Sequence, residues 1–160
     1  DIVTVEDELE NVKSYMEIQQ IRNKDLFSYE VDCRVDAQNT WVLKLILQPL
    51  VENSIKYGFC NIFEGGRIRI EIFKDKEMLC LRVYNSGAPI DKEKVELIQR
   101  MNEMPVSALK ECFPDKTHGY GVMNIMTRLR LKYGDQVRFF YVAEEEGTTC
   151  TIQIPGGGQP

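Results

Sequence analysis

Three side chains in one segment carry the most specific chemistry of this sequence. Asn53, Lys56 and Tyr57 stand at i, i+3 and i+4 within Leu47-Gln48-Pro49-Leu50-Val51-Glu52-Asn53-Ser54-Ile55-Lys56-Tyr57-Gly58, so an α-helix presents them on one face. An amide oxygen, an ammonium and an aromatic ring on one face suit a metal ion, a phosphate and a nucleobase. Further along, Gly119-Tyr120-Gly121-Val122-Met123-Asn124 sets a glycine pair at the opening of a second helix. A helix start with little side-chain bulk offers free N–H groups and a positive end charge to phosphate oxygens. Two other segments carry turn chemistry at strand ends, Val83-Tyr84-Asn85-Ser86-Gly87-Ala88-Pro89-Ile90 and Gly147-Thr148-Thr149. Taken singly, each of the four also fits an ordinary turn or a water-facing helix.

Several classes are excluded. A dinucleotide fingerprint needs a strand just before its glycines, whereas Pro114 to His118 reads as loop, and no G-x-x-x-x-G-K-S/T sequence occurs. The chain has 160 residues and a net charge of −5 without a basic stripe, which speaks against nucleic acid. A hydrophobic fraction of 43% and a charged fraction of 28% suit one globular domain. No apolar run approaches the roughly 20 residues that span a bilayer, and no signal peptide is read. The first residue is Asp1 rather than Met, so the sequence reads as a piece of a longer protein. Cys33, Cys60, Cys80, Cys112 and Cys150 lack metal-ligand spacing, with His118 as the only histidine, so no zinc site is expected. Cys33, Cys80 and Cys150 are read as apolar beats of strands, and the unpaired count favours a reducing compartment.

The elements that must position these residues follow from periodicity. Val5 to Arg22 reads as a helix capped by Thr4, with Leu9, Val12, Tyr15, Met16, Ile18 and Gln19 as its stripe. Phe27, Tyr29, Val31 and Cys33 alternate as a strand. A helix is predicted from Thr40 to Tyr57, bent at Pro49. Ile68, Ile70 and Ile72, then Leu79, Leu81 and Val83, mark a hairpin. Asp91 starts a helix to about Asn102, Glu103 to His118 reads as a loop with one short helical turn, and a helix from Val122 to Tyr133 stops at Gly134. A last hairpin alternates through Val137, Phe139 and Tyr141, then Cys150, Ile152 and Ile154. Five strands with one apolar face each predict an α+β two-layer sandwich, a mixed, mostly antiparallel sheet with helices on one face.

The four segments, in this order, resemble the ATP-binding catalytic domain of sensor histidine kinases, of the GHKL superfamily and Bergerat fold, and within it the LytS/YesM-like group. Leu47 to Gly58 is similar to its N box, L-Q-P-L-V-E-N-x-I-K-Y/H-G. Gly119 to Leu129 is similar to its second glycine box, G-Y-G-L/V-x-N-V/I-x-x-R-L, with Tyr133-Gly134, Gly147-Thr148 and Ile154-Pro155 in their usual places. The resemblance covers residues 4 to 155. It implies Mg²⁺ on the amide oxygen of Asn53, a phosphate on Lys56 and the adenine near Tyr57. It further implies Asn85, Gly87 and Ile90 around the base, Gly119, Tyr120, Gly121, Val122 and Asn124 around the phosphates, and Thr148 supporting the adenine pocket. Glu103 to His118 would be a lid over ATP. Glu52, turned about 100° from Asn53 on a helix, is a candidate for polarising an acceptor or reaching Mg²⁺ through water.

Departures from the pattern shape the expectation. Asn85 stands where the family often has an aspartate, which turns a charge-assisted hydrogen bond into a neutral one. Pro89 replaces a glycine of the first glycine box. Hydrolytic members resemble E-x-x-x-N, but Pro49 occupies that position here, which favours phosphoryl transfer over hydrolysis. The resemblance thus implies a histidine protein kinase domain acting on a histidine outside this sequence. Residues 1–24 would be a linker helix from an upstream dimerisation and phosphoacceptor region, 25–155 the ATP-binding domain, and 156–160 a tail or cloning remnant. The implied partners are that phosphoacceptor domain and a response regulator. The full-length protein would be a homodimer whose cytoplasmic kinase portion hangs from upstream segments in an inner membrane. The rival readings are a degenerate, non-catalytic GHKL interaction module and a GHKL serine kinase of the anti-sigma-factor type.

Overall fold

The structure, a computed structural model, describes residues 1–112 and 120–156, with Tyr120 through its backbone alone. Helix α1 (Val5–Arg22) starts where Thr4 Oγ1 accepts the Asp7 N–H at 3.1 Å, which satisfies one of the free donors of a helix start. Its inner stripe is Val5, Leu9, Val12 and Met16, whereas Ile18 is exposed and drops out of the predicted stripe.

The main sheet has five strands in the order β2 (Phe27–Cys33), β4 (Gly66–Asp75), β5 (Met78–Ser86), β7 (Gly147–Pro155) and β6 (Arg138–Glu144). β2 runs parallel to β4 and all other pairs are antiparallel, as the one-sided alternation predicts. Ile68, Ile70, Ile72, Leu79, Leu81, Val83, Phe139, Ile152 and Ile154 are buried on the inner face, where α1, α2 (Leu47–Asn53), α3 (Lys92–Met101) and α5 (Tyr120–Tyr133) add Leu9, Leu50, Ile98, Met126 and Leu129 to the same core. α5 ends at Gly134, whose φ of +81° suits a helix C-terminus. Cys80 departs from expectation. It pairs with Phe73 and Gln153, out of phase with Leu79 and Leu81, and so belongs to the outer face. That face is polar and aromatic. Glu71 there meets Arg34, Arg69 and Arg82 at 3.0, 3.5 and 4.0 Å, and Arg34 and Arg82 each lie 4.8 Å from the Phe73 ring centre.

One predicted element is corrected. Thr40 to Tyr57 is not a single bent helix. Trp41–Leu43 is a strand, β3, paired antiparallel with β1 (Ile2–Thr4). The apolar spacing of Val42, Ile46 and Leu50 mimics a helical stripe, but the partner strand lies far away in sequence and decides the conformation. Helix α2 starts only at Leu47, which puts Pro49 in its first turn. Backbone N–H groups there have no helical acceptor, so the proline costs no hydrogen bond and causes no bend. Past α3 a short helix, α4 (Val106–Leu109), buries Leu109, in line with the predicted helical turn. Residues 113–118 of the predicted lid, His118 among them, lie outside the described residues. At the sheet edge, the Asn102 side chain accepts from Phe139 N at 2.9 Å and donates to Phe139 O at 2.8 Å.

Candidate nucleotide site

The inner face of the sheet changes character at one end. Along β5 the inward beats read Leu79, Leu81, Val83 and then Asn85. Along β7 they read Ile154, Ile152, Cys150 and then Thr148. Asn85 and Thr148 are paired across the strands, and Tyr141 of β6 pairs with Cys150. The core face therefore ends in an amide, a hydroxyl, a phenol and a thiol. A cavity of about 300 Å³ opens there, at the small end of the range for small-molecule sites, roughly 300–1,000 Å³. Asn53, Tyr57, Asn85, Ile90, Val122 and Thr148 all line it, so four separate segments of the sequence meet on one wall.

The local backbone explains how. After Asn53 the helix widens into a π turn over Ser54–Gly58. Such a turn closes i→i+5 hydrogen bonds and is frequent at functional sites. It keeps i+4 in line and swings i+3 aside. Asn53 and Tyr57 reach the cavity, whereas Lys56 is exposed and outside the lining, with its Nζ 5.1 Å from the Tyr57 ring centre. The turn then runs against the end of β5. A Cβ on Gly58 would lie 2.2 Å from Asn85 Nδ2, and one on Gly87 would lie 2.2 Å from the Gly58 carbonyl oxygen. Gly87 also has a φ of +107°, which side-chain-bearing residues rarely adopt. The Gly58 carbonyl accepts from Ala88 N at 3.0 Å, which clamps the two segments together.

The polar wall groups are held in defined orientations. Asn85 is buried, and its Nδ2 donates to Ser86 O at 3.0 Å. Among the described residues nothing donates to its Oδ1. Thr148 Oγ1 accepts from Ile90 N at 2.9 Å and donates to Ala88 O at 3.5 Å, fixing the turn that carries Ile90. Burial pushes the Cys150 thiol up to about 12. Burial also raises the Tyr141 hydroxyl well above its ordinary value, with Cys150 reinforcing the shift and the Asn53 amide opposing it. The floor is therefore uncharged at neutral pH. Leu50, Ile90, Ile98 and Val122 give the cavity apolar walls, suited to a flat aromatic base.

Other expected residues fall elsewhere. Glu52 is exposed and accepts from Gln48 Nε2 at 2.9 Å; it is absent from the lining, as are Gly121 and Asn124, both exposed on α5. Gly119 lies outside the described residues. Conversely, sequence reasoning missed Asp91, Lys94, Tyr141 and Cys150 on the wall. Tyr141 and Cys150 were legible from their inward beats. Lys94 stands four residues before buried Ile98, the spacing that shares a helix face. Asp91 was read as a helix cap, but its side chain makes no capping hydrogen bond. Among the described residues no three His, Cys, Asp or Glu side chains converge. The Asn53 amide and the Asp91 carboxylate are oxygen donors fit for Mg²⁺, an ion commonly held by few protein groups together with substrate phosphates.

Comparison with known proteins agrees with this geometry. A family profile described as "Histidine kinase-, DNA gyrase B-, and HSP90-like ATPase" matches residues 39–157. The chain is 30% identical over 156 residues to the sensor histidine kinase YesM of Bacillus subtilis, covering 97% of this chain and 24% of that protein. It is 28% identical to the sensor protein LytS of Staphylococcus haemolyticus, covering 96% and 25%. It thus spans about a quarter of the length of these curated relatives. The solved catalytic domain of histidine kinase ThkA shares the fold, with a TM-score of 0.69 at 18% identity, covering 97% of this chain and 94% of that one.

Proposed function

This chain belongs to the histidine kinase-, DNA gyrase B- and HSP90-like ATPases, and from that premise we propose that it is the ATP-binding catalytic domain of a two-component sensor histidine kinase. One observation carries the reading: Asn53 and Tyr57 from the end of α2, Asn85 and Ile90 from the end of β5 and the turn beyond, Val122 from α5 and Thr148 from β7 share one cavity. The adenine would enter between Leu50, Ile90, Ile98 and Val122, with its amino group donating to Asn85 Oδ1. Asn53 would hold Mg²⁺ through its amide oxygen. The phosphates would extend toward Lys56 and the N-terminal turn of α5, whose first N–H groups have no acceptor within the helix.

Bound Mg²⁺ supplies charge neutralisation on the phosphates. The residues of this chain fix the nucleotide, shield the base from water and leave the terminal phosphate open to an acceptor, so catalysis is mostly positioning. A histidine imidazole from an upstream region of the longer protein forms the P–N bond. The bond from the γ-phosphorus to the bridging oxygen breaks, and ADP leaves with that electron pair. Glu52, free of the cavity wall, is the candidate for orienting the incoming imidazole. The phosphoryl group then passes to an aspartate of a response regulator. A ThkA structure described as a complex with response regulator TrrA, which shares this fold at a TM-score of 0.61, supports that partner class. We place α1 as the linker from the phosphoacceptor and dimerisation region, and the domain on the cytoplasmic side of a membrane that upstream segments would cross.

Titration of Mg-ATP into the chain and into Asn53→Ala tests the reading. The wild type is expected to bind saturably, and the variant to lose the magnesium-dependent part of its affinity while keeping its fold. No saturable binding at millimolar nucleotide would overturn it and favour a non-catalytic docking module.

A further inference from the structure

We infer that Lys94 is a second cation for the nucleotide phosphates, supplied by α3 in addition to the lysine of the N box. The inference rests on the nucleotide reading above. Lys94 lines the cavity, whereas Lys56 does not. It is half-buried, and its Nζ lies 5.5 Å from the Tyr57 ring centre. It forms no ion pair with a carboxylate among the described residues, although Asp91 stands one turn before it. An ammonium drawn partly out of water is unfavourable unless an opposite charge or strong acceptors replace the water. An aromatic face replaces only part of that hydration. Lys56 Nζ lies 5.1 Å from the same ring centre. The two ammonium groups therefore stand within about one screening length of each other, with no described carboxylate paired to either. Asp91 on the same wall offsets part of this charge, but two ammonium groups beside an uncharged cavity floor leave a local positive potential that a polyphosphate would relieve.

The test measures the affinities of adenosine, AMP, ADP and Mg-ATP for the wild-type chain, Lys94→Gln and Lys94→Arg, with thermal melting as a control for folding. Lys94→Gln is expected to weaken ADP and Mg-ATP about tenfold, the scale of one charge-assisted hydrogen bond, and to leave adenosine unchanged. Lys94→Arg should keep most of the wild-type affinity. Raising the salt concentration should narrow the gap between wild type and Lys94→Gln, because the lost contact is electrostatic. An equal loss for adenosine and ADP would overturn the assignment and make Lys94 a wall of the base pocket. An unchanged ADP affinity would overturn it as well. If the wild type bound none of the four, the nucleotide reading itself would fall, and the inference with it.

Discussion

The two ends of α2 are built on opposite principles. At its start, backbone donors and acceptors are met by side chains from other helices. The buried Glu8 carboxylate of α1 accepts from Leu45 N, Ile46 N and Leu47 N at 2.6, 3.0 and 3.1 Å, so a side chain from another helix does the work of a cap. Arg128 of α5 donates to the carbonyls of Lys44 and Leu45, and Leu45 itself holds a φ of +59°. At the other end, past Asn53, the helix widens and groups are left over. Among the described residues, Asn85 Oδ1 receives no donor and Lys94 pairs with no acid. One end of the helix stabilises the fold, and the other is the end we assign to the ligand. A single element can therefore separate stability from binding.

The largest expected effect breaks the first end. Glu8→Ala leaves three backbone donors without their acceptor and should cost roughly 3 kcal/mol in chemical denaturation, while the molecules still folded bind nucleotide as before. Next, Gly58→Ala drives a Cβ into Asn85 and should lose about 2 kcal/mol by overpacking together with affinity for the base, measured by adenosine titration. Asn53→Ala sharpens the contrast. Its unfolding free energy should fall by only about 1 kcal/mol, the scale of one side-chain hydrogen bond, while its magnesium-dependent affinity falls. The smallest effect concerns the cavity floor. The unfolded Cys150 thiol loses its proton near 9.0 but the folded one only near about 12. The unfolded state therefore sheds its proton first, and stability declines as pH rises through that window. Cys150→Ala should show a shallower alkaline decline in melting temperature than wild type.

Much of the architecture was legible because it is written in local periods. Ile68 to Ile72, Leu79 to Val83 and Phe139 to Tyr141 alternate with little ambiguity, and Thr4 and Gly134 mark helix ends. The site was legible where motif residues stand on those periods, as Asn53, Asn85 and Thr148 do. What escaped depends on distant contacts. Trp41–Leu43 becomes a strand only because Ile2–Thr4 lies beside it. The π turn that turns Lys56 away from the cavity leaves no trace in a helical wheel. Lys94 gains meaning only once the fold brings its ammonium beside the Tyr57 ring. Arg128 belongs to the second glycine box, yet it grips the loop before α2 instead of lining the cavity.

Asn102 has a consequence beyond its own helix. β6 is an outer strand of the sheet, and an outer strand with unpaired backbone groups invites a strand from another molecule. At Phe139 the invitation is already declined, because one amide side chain occupies both the donor and the acceptor that a newcomer would need. Asn102→Ala would reopen that rung, and self-association of the variant under mildly destabilising conditions is where the difference would surface.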